Sequence, residues 1–160
     1  HAHDIKVTPQ GGMTGLAGGG VPVCPTVVLS LERMRAIEEI DVAAGTTRCN
    51  CRFCRKARFW MAFAKAAEFE LLKGEADLTD YQHTAPGKAE PFLHLTFCKH
   101  CGVRPFSKGG ALPQFGGEFY AVNVACLDDA TDDELAHAPI HFADGRSDQW
   151  EREAKESSYL

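Results

Sequence analysis

The sequence predicts a mainly β domain, on two observations. Short runs of apolar, β-branched and aromatic residues recur along the chain, and glycine or proline closes most of them. The clearest run, residues 118–126, alternates well enough to read as a half-buried strand. Its 160 residues suit one domain with a core of its own. No internal repeat and no second-domain boundary is visible.

Residues 1–20 carry Gly11-Gly12, Gly15 and Gly18-Gly19-Gly20 and are expected to be a flexible segment. Residues 21–29 are apolar and β-branched and suit an edge strand, given Pro22 and Pro25. Residues 30–40 read as a short helix, with Ser30 as N-cap and Leu31, Met34, Ile37 and Ile40 at helical spacing. Residues 44–47 form a turn. Apolar stretches at 59–63 and 69–74 follow, then a polar-interrupted run at 78–83. Residues 92–97 form a strand that enters Cys98, and 103–107 are its hairpin partner. Thr131 caps a helical turn. Residues 21–150 are thus one domain, and 151–160 a polar tail that Trp150 could tie down. Trp60, Phe63, Phe92, Phe97, Phe119 and Tyr120 are expected in the core.

The net charge of −5 argues against phosphate-backbone binding, so no nucleic-acid partner is expected. No apolar run is long enough to cross a bilayer, and the start lacks a secretory layout. A cytoplasmic location without a membrane partner is the expectation. The charge is uneven: Arg48, Arg52, Arg55, Lys56 and Arg58 crowd together, a patch suited to a small anionic ligand or to a solvated face that offsets thiolate charge.

Seven cysteines at close spacing, an odd count, point to metal rather than disulfides. Zinc takes thiolates in tetrahedral sites and needs ligands close together on a turning backbone. Cys49-Asn50-Cys51-Arg52-Phe53-Cys54 offers three thiolates, the complement of an open zinc site. Closure by a distant residue would make the same cluster structural. Cys98-Lys99-His100-Cys101-Gly102 is a knuckle that aims two sulfurs at one ion. The five thiolates could also close a single site. Cys24 and Cys126 read as buried apolar cysteines, with Cys24 a candidate ligand. His83, His94 and His100 read as surface or satisfied histidines, although His100 lies where it could bond a ligand.

These residues resemble the glutathione-dependent formaldehyde-activating enzyme family. The resemblance lies in residues 44–56, in Phe69 to Gly74 with Leu78 and Tyr81, and in Phe97-Cys98-Lys99-His100-Cys101-Gly102-Val103-Arg104-Pro105-Phe106. It continues in Tyr120-Ala121-Val122-Asn123-Val124-Ala125-Cys126-Leu127-Asp128 and Phe142-Ala143-Asp144-Gly145-Arg146. It implies a zinc-bearing β-tent of small antiparallel sheets with one or two zinc ions. Cys98 and Cys101 would be half of a structural site, and Cys49, Cys51 and Cys54 a second site linked to glutathione. Arg52 and Arg55 would be the glutathione contacts. The implied activity is that of a carbon–sulfur lyase, joining formaldehyde to the glutathione thiol or acting on another aldehyde–thiol adduct. A zinc-stabilised binding module of the same fold is the alternative. One departure stands out. The family's early C-x-C should precede Cys49, but Leu29-Ser30-Leu31-Glu32-Arg33-Met34-Arg35 holds no cysteine.

Overall fold

A computed structural model describes residues 6–10, 26–30, 45–128 and 130–160. Ten strands and two short helices make the described residues mainly β, as the patterning predicts. Strand β1 (Lys6–Gln10) pairs in parallel with β2 (Thr26–Ser30). The rest of residues 1–20, expected to be a flexible segment, lies outside the described residues. Ser30 ends β2, and the helix expected over residues 31–40 lies outside the described residues, as does Cys24.

The other strands form one eight-stranded sheet. They are β3 (Thr46–Cys49), β4 (Trp60–Lys65), β5 (Leu78–His83), β6 (Leu93–Cys98), β7 (Phe106–Leu112), β8 (Gly117–Asn123), β9 (Ile140–Asp144) and β10 (Gln149–Glu153). Their order across the sheet is β10-β9-β3-β4-β8-β7-β6-β5. All pairs are antiparallel except β3 with β9, which run parallel with Cys49 opposite Ala143. Helix α1 (Arg52–Ala57) links β3 to β4, and α2 (Asp132–His137) precedes β9. Among the described residues no helix is long and apolar enough to cross a membrane.

Strand β4 is central, and its alternation divides the core in two. Trp60 and Ala62 face Val124 and Ala138, with Leu127, Leu135 and Ile140 packed around them. Phe59 and Met61 face Cys49, Ala121 and Ala143, with Cys51 and Cys54 against them. The three-cysteine cluster is therefore rooted in the second core. Trp60 donates to the Thr46 hydroxyl at 2.6 Å, and that hydroxyl donates to the Pro139 carbonyl at 2.8 Å, which fixes β3 between β4 and β9.

The expected core is met in part. Trp60 and Phe119 are buried, whereas Phe63 is 41% exposed and Phe92 37%. Phe63 instead joins an aromatic group with Phe115 and Phe119, at 5.4 and 5.8 Å between ring centroids. The hairpin partner of β6 begins at Phe106 and runs on to Leu112, past the expected end. Its Gly109 is obligatory, because a Cβ there would sit 2.2 Å from the Phe119 ring. Thr131 forms the expected capping box with Glu134 at α2. At the C-terminal end β10 pairs with β9, Ala154 is buried, and its N–H donates to the Phe142 carbonyl at 2.7 Å.

Candidate metal centre

Cys49, Cys51 and Cys54 come together from the end of a strand and the start of the helix that follows it. Cys49 ends β3, Cys51 is the N-cap of α1, and Cys54 lies in its first turn. All three sulfurs fall within 4.8 Å of one another. Among the described residues this is the only such group of three His, Cys, Asp or Glu donors. Tetrahedral zinc–thiolate bonds of about 2.3 Å would set sulfurs roughly 3.8 Å apart, so the donor set fits zinc with little contraction. Backbone amides support the sulfurs. The Cys51 N–H donates to Cys49 Sγ at 3.2 Å, and the Cys54 N–H to Cys51 Sγ at 3.4 Å. Such bonds favour the thiolate form.

The thiols are electrostatically frustrated as they stand. Hydrogen bonds from Cys49 and Cys54 pull the Cys51 thiol far below its ordinary range. The same contact with Cys51 holds the Cys49 thiol up at about 11. Cys54 is pushed up by Cys49 and Cys51 and by burial. One negative charge therefore forms easily and resists two more, unless a cation joins them.

Asn50 locks this loop to the far end of the chain. Its side-chain amide donates to Asp144 Oδ1 at 2.6 Å, and its carbonyl oxygen accepts from the Arg146 N–H at 2.7 Å. That bond, first among the causes, holds the Asp144 carboxyl below its usual range. The turn after β9 then approaches the cluster so closely that only glycine fits at 145. A Cβ there would lie 2.6 Å from Cys49 Sγ and 2.6 Å from the Trp150 ring. Gly145→Ala is expected to cost about 1–3 kcal/mol through overpacking and to weaken metal binding, although no donor atom is lost. Thermal unfolding and a cobalt titration check this, and unchanged values for both would refute the close approach.

Beside the cluster lies a cavity of about 550 Å³. Cys51 lines it, together with four cations, Arg52, Arg55, Lys56 and Arg146. No carboxylate lines it. Phe53, His83, Leu93, Gly145 and Trp150 also line it. The expected contacts Arg52 and Arg55 thus do face the cavity that Cys51 lines. Arg55 also stacks toward the Tyr159 ring, 6.0 Å from its centroid.

The knuckle forms separately. The Gly102 N–H donates to the Cys98 carbonyl at 2.8 Å, with Gly102 at φ 76°. The Cys98 N–H donates to the Val103 carbonyl at 2.8 Å. Burial first, then Cys98, pushes the Cys101 thiol up. These two sulfurs do not join the first cluster, so no five-thiolate site is assembled. Cys126 lies not in β8 but in the 3-10 turn after it, half-buried, where burial first, then Asp128 and Cys101, pushes its thiol up to about 11. His100 bonds Asp77 at 3.0 Å rather than supporting a thiolate, and His94 bonds Asp80 at 2.7 Å.

The spacing of the cysteines could not announce Arg104, Arg146, Gly145 or Trp150. Arg104 lies behind the cluster, its guanidinium 4.5 Å over the Phe59 ring. Burial lowers its pKa, and the charges of Cys54 and Cys51 work in the opposite direction.

Comparison with known proteins adds the family. A model of the glutathione-dependent formaldehyde-activating enzyme family matches residues 23–144. A solved Rhodobacter sphaeroides protein is 28% identical, with a TM-score of 0.47 over 61% of this chain and 81% of that one. Curated relatives match over short stretches. A D-2-hydroxyglutarate–pyruvate transhydrogenase of Saccharomyces cerevisiae is 44% identical over 46 residues, 29% of this chain and 9% of that protein. A D-2-hydroxyglutarate dehydrogenase of Danio rerio is 41% identical over 46 residues, again 29% and 9%. The chain thus spans less than a tenth of the length of these curated relatives. The family match covers most of the chain and runs through both cysteine clusters, and on it the chain belongs to the glutathione-dependent formaldehyde-activating enzyme family.

Proposed function

We propose that the chain is a zinc-dependent carbon–sulfur lyase-type enzyme acting on the adduct of an aldehyde with a small anionic thiol, with glutathione and formaldehyde as the reference pair. One observation carries this reading: of three convergent thiols, Cys51 lines a cavity that four cations and no carboxylate share with it. Cys49, Cys51 and Cys54 would hold the ion and leave a fourth position free. Zinc there would supply the positive charge that keeps an incoming thiol deprotonated at neutral pH.

The chain's own residues would do the rest. Arg52, Arg55, Lys56 and Arg146 would bind the carboxylates of the thiol and orient its sulfur toward Cys51. Trp150 and Phe53 would narrow the entrance and exclude water from a small carbonyl. Holding thiol and carbonyl together raises their effective concentration. Asn50, through its bonds to Asp144 and Arg146, would keep the metal-binding loop and one cation in register.

Calorimetry of the zinc-loaded protein with glutathione, paired with carbon-13 exchange NMR on formaldehyde and glutathione, tests the reading. Binding and accelerated exchange are expected, both lost in Cys54→Ser. A loaded protein that neither binds millimolar glutathione nor speeds exchange would leave zinc with a role in the fold alone.

A further inference from the structure

The geometry points to His83 as the group that carries the proton in this chemistry, an inference that rests on the proposed function. Making or breaking a carbon–sulfur bond at a hemithioacetal requires a proton to move on or off the adjacent oxygen. The cavity residues leave one candidate. Arg52, Arg55, Lys56 and Arg146 are permanent cations at neutral pH, Cys51 belongs to the metal cluster, and the remaining lining groups do not exchange protons. Histidine is the side chain suited to that exchange near neutrality.

His83 is also held where it can act. It closes β5 opposite Leu93 of β6, and both residues line the cavity. Its ring meets the Phe53 ring edge-on, with centroids 4.9 Å apart. Phe53 stands next to Cys54 in α1, so the contact ties the imidazole to the helix that carries two of the three thiols. His83 is half-buried, with one side against the wall and access to solvent for proton release.

The charged groups around it come from each neighbouring element. Helix α1 contributes Arg52, Arg55 and Lys56, and the turn after β9 contributes Arg146. On β5 and β6, Asp80 is engaged by His94 at 2.7 Å.

The step balances without any further reagent. In cleavage, the adduct hydroxyl gives its proton to a ring nitrogen of His83. The O–H electron pair becomes the second bond of the carbonyl, the carbon–sulfur bond breaks, and its pair leaves on sulfur as a thiolate. The imidazolium then releases its proton to solvent. Formation of the adduct runs these movements in reverse.

The test uses full-chain zinc-loaded protein, His83→Gln and His83→Ala, with glutathione and formaldehyde. For His83→Gln, kcat is expected to fall by roughly 100-fold or more while KM changes little, because acid–base assistance of this kind contributes about 10²–10⁴. The alkaline limb of the pH–rate profile for adduct formation should vanish, and added imidazole should restore part of the rate to His83→Ala. In nitrogen-15 NMR the His83 ring signals should shift when glutathione is added to the wild-type protein. Unchanged cobalt spectra in both variants would establish that the metal cluster is intact. If wild-type protein turns over and His83→Gln keeps its rate and pH profile, the role of His83 is overturned and the proposed function stands. If wild-type protein neither binds glutathione nor turns over, both fall.

Discussion

Cys51→Ser is expected to abolish metal binding at the three-cysteine cluster and to lower the melting temperature of the zinc-loaded protein by about 10 °C. Cys51 contacts both other thiols and caps α1, so its loss removes a donor and the local support together. Replacing groups that only support metal ligands typically costs 10–100-fold in affinity, and loss of a ligand should exceed that. With free zinc about 1000-fold above its Kd, binding adds about 4 kcal/mol to stability. In a chain of this size each kcal/mol is worth roughly 2–4 °C. The thiol titrations add a pH signature. Cys49 is held protonated to about 11, so its contribution to the metal-free fold is present below pH 9.0 and lost as pH rises from there toward 11. Zinc acts in the opposite direction, because its binding releases protons and weakens as pH falls. Metal content per chain and the cobalt–thiolate absorption band check this. Retention of that band in Cys51→Ser would exclude the cluster as the metal site, and Cys98→Ser should leave it intact.

The cysteine cluster was legible because metal ligands of this kind are adjacent in sequence, and spacing alone announces them. The strands of the middle region were legible where one face is buried, as in β8, whose Phe119, Ala121 and alternating neighbours follow the pleat. What stayed hidden had no local signal. Strand β3 reads as a turn because it is four residues long and follows Gly45, with φ 120°. It is a strand because β4 and β9 flank it. Strand β10 is exposed along its whole length and has no apolar alternation to reveal it. Helix α1 is six residues long and holds no fully buried residue, so no helical period marks it. In β7, Gly109 and Gly110 look like a turn and are instead places where the Phe119 and Phe92 rings press on the backbone. The cavity was hidden for a topological reason. It joins residues of α1 to a turn some ninety positions later, and only the parallel pairing of β3 with β9 brings them together. The expected half-site at Cys98 and Cys101 forms as a knuckle, while Cys24 lies outside the described residues.

Arg104→Met should weaken zinc binding at the cluster by about 10–100-fold while leaving the metal-free protein as stable as before or slightly more so. Three thiolates around a divalent ion leave one negative charge in a core that offers little water. Arg104 is the cation placed to balance it. Its guanidinium lies over Phe59, whose core cluster also packs Cys49, Cys51 and Cys54. Only Ser107 accepts from it, at 3.1 Å, and its buried Nε has no hydrogen-bond partner among the described residues. A buried cation so poorly bonded costs stability on its own, and burial does lower its pKa. The arrangement becomes more favourable as the thiolates charge, and metal binding is what brings all three to that state. Methionine keeps the packing on Phe59 and removes the charge, and so separates the two effects. Arg104→Lys should recover part of the affinity, because a point charge survives but not the planar stack. Cobalt titrations of wild type, Arg104→Met, Cys51→Ser and the double variant, with melting curves with and without zinc, form the measurement. The charge argument requires Arg104→Met to have no effect on melting once Cys51 is already serine, since the negative charge it opposes is then gone. An equal loss of stability with and without zinc would instead make Arg104 a packing residue of the Phe59 core.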